Sequence, residues 1–179
     1  MDYWKPNTTV AALIERDGEL LMIEEHTPEG VRLNQPAGHL DQGETLQQAA
    51  VREALEETGW TVEPVALQGV YMSRYAHAAS GTDVTYLRHV FVCRALAHDP
   101  ARALDTGIVR ALWMSPQAIL AAADRHRSPL VARTVLDWQA GRRFPLDLIW
   151  THPSALAAPI AAAPAATLRA AGDPSQSEP

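Results

Sequence analysis

The chain has 179 residues, 47% of them apolar and 20% charged, with a formal net charge of −6. That length suits one domain with its own core plus some spare chain, and the composition is ordinary for a soluble globular protein. No apolar run approaches a bilayer-spanning length, so no membrane partner is expected. The acidic balance argues against nucleic acid as the main partner, since phosphate backbones are bound by net positive surfaces. The opening "MDYWKPN" has neither a basic nor an apolar signal region, and a cytoplasmic location is the expectation.

In chain order, "TTVAALIERDGELLMIEEH" places two apolar runs around Asp17-Gly18, a pair suited to positive φ, which predicts a β-hairpin. The Gly- and Pro-dense "TPEGVRLNQPAGHLDQGE" then reads as a loop. A helix follows in "TLQQAAVREALEETG", with Thr45 and Gln48 as a capping box and Gly59 as the stop. β-branched and aromatic residues predict strands in "TVEPVALQGVYMSRYA", "DVTYLRHVFVCRAL" and "GIVRALWM".

Cys93 lies in the second of these, where apolar neighbours predict a buried, inert thiol. A lone cysteine can make neither an internal disulfide nor a cysteine-rich metal site. Two helices end the pattern. "SPQAILAAA" starts at Ser115 and Pro116. "SPLVARTVLDWQAG" starts at Ser128 and Pro129, carries Val131, Val135 and Trp138 on one face, and stops near Gly141. The alternation predicts an α/β arrangement, a mixed sheet with helices on both faces. Residues 1–150 are read as the domain. Residues 151–179, rich in Ala and Pro, are expected to be a disordered tail, with a docked terminal segment as the alternative.

The chemistry concentrates in the first helix. Leu46, Ala49 and Ala50 begin a stripe that Glu53, Glu56 and Glu57 continue at i+7, i+10 and i+11. Turned toward the fold, two such charges about 4 Å apart repel by on the order of 4 kcal/mol at an effective dielectric near 20. Arg52 is the helix's only basic residue and cannot neutralise three glutamates plus Glu44. A solvated acidic face is the plain alternative, but it would call for Lys or Arg at i±4. A divalent cation bound by hard oxygens, Mg²⁺ or Mn²⁺, meets the need.

These residues resemble the Nudix box: Gly38, five residues, Glu44, seven residues, then Arg52-Glu53-Ala54-x-Glu56-Glu57-x-Gly59-Trp60. The strand order over roughly residues 7–148 is similar to the Nudix α/β/α sandwich with a mixed sheet. "NQPAGHLDQGETL" and "RSPLVARTVLDWQAGRRFPLDLI" resemble the NudJ-like phosphatase subgroup. Its members act on nucleoside di- and triphosphates and on pyrophosphates of thiamine and its pyrimidine precursor. The resemblance implies a Mg²⁺-dependent phosphoanhydride hydrolase. Glu53, Glu56 and Glu57 would hold the metal, one of them also relaying a proton from water. Arg52 would orient a neighbouring glutamate, Glu44 would support the site, and the Gly38 turn would bring backbone oxygens close.

A further metal carboxylate from a later loop fits either Asp99 or Asp105. "RYAHA", where the ADP-ribose type shows proline, speaks against that substrate, and Tyr75 resembles the dinucleoside polyphosphate type, although a strand tyrosine also serves packing. Dinucleoside polyphosphates or nucleotide sugars are the alternative substrates. A nucleotide-sensing module without turnover is a third reading, against which the complete box stands. Gln35 and His39 flank the Pro-Ala-Gly turn as candidate substrate contacts. Arg88 fits a phosphate or base contact and a surface arginine equally. The remaining histidines show no ligand spacing, and the sequence leaves the oligomeric state open.

Overall fold

A computed structural model describes residues 3–77 and 81–157. The strands are β1 (Asn7–Arg16), β2 (Glu19–Thr27), β3 (Gly30–Asn34), β4 (Ala37–His39), β5 (Trp60–His77), β6 (Thr82–His98) and β7 (Ile108–Met114). The helices are α1 (Leu46–Thr58), α2 (Pro116–Ala121) and α3 (Leu130–Gln139). One seven-stranded sheet runs β3-β2-β1-β6-β5, with β4 also on β1 and β7 on β2. Among the described strands only β1 and β6 pair in parallel, from Asn7↔Tyr86 to Glu15↔Arg94, so the sheet is mixed as expected.

The hairpin at Asp17-Gly18 forms, with φ of 53° and 81° at the two residues. The segment read as a loop is different: β3 and β4 lie within it. Its glycines and prolines punctuate short strands instead of excluding them. Gly30, at φ 101°, turns the chain so that Val31 and Leu33 pair with His26 and Glu24 of β2. Pro36 separates the two strands, and its carbonyl accepts from Ala12 N.

β1 changes partners along its length. Thr9–Ala11 pair with β4, whereas Glu15 and Arg16 pair with β2. The sheet therefore parts between β4 and β2, and α1 lies against that opening.

Helices cover both faces. Ala49, Ala50 and Ala54 of α1 pack on Val10, Ala12, Ile14, Leu21, Val62, Leu67, Phe91 and Cys93. On the other side Ile119, Val131 and Val135 of α2 and α3 meet Ala11, Leu13, Leu20, Met22, Leu33 and Val90. Cys93 is buried, and burial pushes its thiol up to about 12, consistent with an inert side chain. Ser115 caps α2 as read, accepting from Ala118 N. For α3, Pro129 occupies the cap position without a side-chain bond, and Ser128 accepts from Leu130 N at 3.3 Å one residue further out. Of the expected tail, residues 151–157 contain a 3-10 turn at Pro153–Leu156, while 158–179 lie outside the described residues. No helix among the described residues is long and apolar enough to cross a membrane.

Candidate active site

The capping box closes in both directions: Thr45 Oγ1 accepts from Gln48 N at 3.1 Å, and Gln48 Oε1 from Thr45 N at 2.8 Å. Gly59 ends α1 in the left-handed region at φ 70°. Between these ends the small side chains of Ala49, Ala50 and Ala54 let α1 sit close to the sheet. The glutamates that continue the stripe are thereby carried inward. Glu53 and Glu57 are only 8% and 9% exposed, a rare placement for carboxylates. Glu56 remains part-buried beside them.

Arg52 is the hub of the cluster. Its Nε and Nη2 donate to the two oxygens of Glu44 at 3.0 and 2.7 Å, a bidentate grip. Nη1 donates to Glu53 at 2.7 Å and to Glu56 at 3.0 Å, and Nη2 also reaches the His39 carbonyl at 2.9 Å. Burial disfavours the Glu44 anion, but Arg52 and the Asp41 amide outweigh it and hold its pKa below the ordinary value. Gly38 on β4 faces the Glu53 carboxyl so closely that a Cβ there would come within 3.0 Å of all three carboxyl atoms. The turn thus makes room for a carboxylate, a role not visible from the motif alone.

Glu57 is in a different position. It accepts one bond, from Ala37 N at 2.8 Å, and among the described residues no Lys or Arg pairs with it. Burial, followed by the charges of Glu53, Glu25 and Asp105, raises its pKa to about 8. Burial likewise raises Glu53, against the pull of Arg52, and the charges of Glu56 and Asp105 add to the effect.

Asp105 is therefore the loop carboxylate that bears on the cluster. Its amide donates to the Glu56 carbonyl at 3.0 Å, fixing the β6–β7 loop on the end of α1. Asp99 instead caps a local turn by accepting from Ala101 N. Glu25 escaped the sequence reading. The doublet Glu24-Glu25 in an otherwise apolar strand was the available signal, since neighbours on a strand point to opposite faces. Glu24 goes to Arg110 and Arg125, whereas Glu25 accepts from Asn34 at 3.0 Å, lies 3.7 Å from Arg127 Nε, and adds its charge to those acting on Glu57.

The candidate substrate contacts separate. His39 is exposed at the site's rim, its ring 6.2 Å from that of Tyr86. Tyr75 donates to Glu29 at 2.6 Å, with Arg127 over its ring. Arg88 lies inward on β6, its Nε shielded from solvent and without a partner. Gln35 is buried at 1% exposure and donates to Thr134 Oγ1 at 2.9 Å, which ties β3–β4 to α3.

Among the described residues no three His, Cys, Asp or Glu side chains already close on one point, since Arg52 and the Ala37 amide hold several of the oxygens. The donor set nevertheless fits a hard divalent cation. Glu57 is buried, feels the charges of Glu53, Glu25 and Asp105, and forms no ion pair among the described residues, and every candidate ligand is an oxygen.

The NUDIX domain model matches residues 4–137, and the chain belongs to the Nudix family. Phosphatase NudJ of Escherichia coli (strain K12) is 36% identical over 146 residues, which span 82% of this chain and 92% of that protein. The solved NUDIX hydrolase from Nitrosomonas europaea is 48% identical at a TM-score of 0.75, covering 83% of this chain and 99% of that one. The MutT NUDIX hydrolase from Burkholderia pseudomallei is 25% identical at a TM-score of 0.56, covering 76% of this chain and 98% of that one. The protein is thus a hydrolase, of a family that generally uses divalent metal ions on small nucleotide or pyrophosphate substrates.

Proposed function

We propose that residues 1–150 form a Mg²⁺-dependent phosphoanhydride hydrolase acting on nucleoside di- or triphosphates or thiamine-type pyrophosphates. Glu57 carries this reading: a carboxylate that burial and the charges of Glu53, Glu25 and Asp105 disfavour, with no ion pair among the described residues, stays ionised at neutral pH when a cation joins it and otherwise takes up a proton. Glu53, Glu56 and Glu57 would hold the ion, with the Gly38 backbone beside them and Asp105 adding charge from the loop. When bound, the metal offsets the charge of the diphosphate and lowers the pKa of water.

The chain's own residues do the rest. Arg52 clamps Glu44, Glu53 and Glu56, so the cluster is set before substrate arrives. Such preorganisation suits phosphoryl transfer, which depends mainly on positioning and charge neutralisation. A carboxylate of the cluster takes the proton of the attacking water. Water attacks phosphorus, the P–O bond of the anhydride breaks, and a phosphate or pyrophosphate leaves.

The substrate class rests on the likeness to Phosphatase NudJ. The experiment is phosphate and pyrophosphate release from a panel of nucleotides, thiamine pyrophosphates, dinucleoside polyphosphates and nucleotide sugars, with and without Mg²⁺. Turnover of the first two groups that vanishes in EDTA supports the reading. Metal-independent release, or release confined to the last two groups, overturns it.

A further inference from the structure

Strand register sets His39, Thr9, Arg88 and Tyr71 side by side on β4, β1, β6 and β5. The outer two have companions. Tyr71 donates to Asp137 of α3 at 2.9 Å, and His39 faces Tyr86. The middle two have almost none. Thr9 Oγ1 and Arg88 Nε are both shielded from solvent and make no hydrogen bond. The guanidinium's one hydrogen bond among the described residues is long, 3.4 Å from Nη1 to Asn34 Oδ1. No Asp or Glu lies within ion-pair distance of it among those residues, and the charges of Glu25 and Glu57, which favour its ionised form, do not outweigh the effect of burial. Asn34, itself buried, donates onward to Glu25 at 3.0 Å, the strand carboxylate whose charge acts on Glu57.

An enclosed guanidinium with no ion pair, next to an unsatisfied hydroxyl, is costly. Both costs disappear when an oxyanion enters between them. We propose that Arg88 and Thr9 form a receptor for non-bridging phosphate oxygens of the substrate, with Asn34 holding the guanidinium beside the carboxylate cluster. The inference rests on the hydrolase reading and deepens it. The planar Nε edge presents donors in the fork that suits phosphate oxygens, and the Thr9 hydroxyl can donate a further bond. Cation and guanidinium would then hold the anion from different sides. Recognition falls on the diphosphate, so the smallest ligand the site needs is a diphosphate without an organic group.

The test uses methylenediphosphonate, a diphosphate mimic whose carbon bridge resists hydrolysis, titrated calorimetrically into the full chain with saturating Mg²⁺. Arg88→Met is expected to weaken binding about 10- to 100-fold, and Thr9→Val about 3- to 10-fold, from the worth of charged and neutral hydrogen bonds. Mg²⁺ affinity without diphosphonate should stay at the wild-type value in both. The Tm of Arg88→Met without ligand should match or exceed that of the wild type, because an unpaired buried cation has been removed. Wild-type diphosphonate affinity in Arg88→Met, with or without a lowered Tm, overturns the receptor. Should that variant not fold, unchanged affinity in Thr9→Val overturns it instead. Failure of wild-type protein to bind Mg²⁺ at all defeats the underlying hydrolase reading, which is a separate result.

Discussion

Replacing Gly38 by Ala tests whether Glu53 must occupy its observed place. Gly38 does not have a positive φ, so alanine brings no backbone strain of its own. The added Cβ falls within 3.0 Å of the Glu53 carboxyl, and ordinary contact begins at 3.4 Å. The carboxylate must therefore retreat by on the order of 1 Å, a displacement that costs roughly 10²-fold in rate when it misplaces a reacting group. It cannot retreat freely, because Arg52 Nη1 holds it at 2.7 Å and the residue is 8% exposed.

Losing or weakening that charge-assisted bond should cost about 1.5–3 kcal/mol of stability. At roughly 2–4 °C per kcal/mol for a domain of this size, Tm falls by about 3–12 °C. The assay is kcat on whichever pyrophosphate the wild type turns over, with Tm recorded beside it. Glu53→Asp in the Gly38→Ala background shortens the side chain and should recover part of the lost Tm. Wild-type kcat and Tm in Gly38→Ala would show that the close approach has no consequence.

Three further outcomes follow from the charges. In EDTA, Glu57 is protonated up to about 8 in the folded chain against 4.5 as its reference value. Between those values the native state binds the extra proton, so metal-free stability falls as pH rises through the window, and Glu57→Gln should remove that slope in urea unfolding from pH 5 to 8. Equal slopes in the two proteins would contradict the burial argument. Asp137 has the opposite sign: burial resists its ionisation, but Tyr71, Arg133 and Arg142 hold its pKa below 3.8. Its contribution is complete above 3.8 and is lost as pH falls through the folded value, so Asp137→Asn should cost about 1–3 kcal/mol at pH 7 and less at pH 3. A penalty independent of pH would refute this. Arg52→Ala leaves Glu44, Glu53 and Glu56 without their shared cation, so Mg²⁺ should raise its Tm more than it raises that of the wild type. A smaller Mg²⁺ shift would contradict the hub role.

The sequence showed whatever depends on local pattern. The capping box at Thr45, the stop at Gly59 and the hairpin at Asp17-Gly18 have chemistry confined to a few neighbouring residues. The acidic stripe of α1 was legible for the same reason, because helical periodicity alone puts Glu53 and Glu57 on the alanine face. Contacts between distant segments were not legible. β3 and β4 hid behind their glycines and prolines, since what makes them strands is pairing with β2 and β1. Gln35 looked like a site residue from its place beside the turn, and only the approach of Thr134, from the last helix, shows that its amide is committed. That the charge of Asp105 acts on Glu53 and Glu57 depends on how the β6–β7 loop docks on α1, which no spacing rule encodes. Glu25 and Asn34 reach the site through the parting of β1 from β2, a feature of the sheet and not of any one strand.

If Glu57 and its neighbours hold one divalent cation, the protein should bind that ion without any substrate. Mn²⁺ binding followed by electron paramagnetic resonance, on wild type and on Glu57→Gln, tests it without any substrate. The wild type should bind Mn²⁺, Mg²⁺ should displace it, and Glu57→Gln should bind at least about ten times more weakly, from the loss of one charged ligand. Equal Mn²⁺ affinity in the two proteins, or none in the wild type, would contradict it.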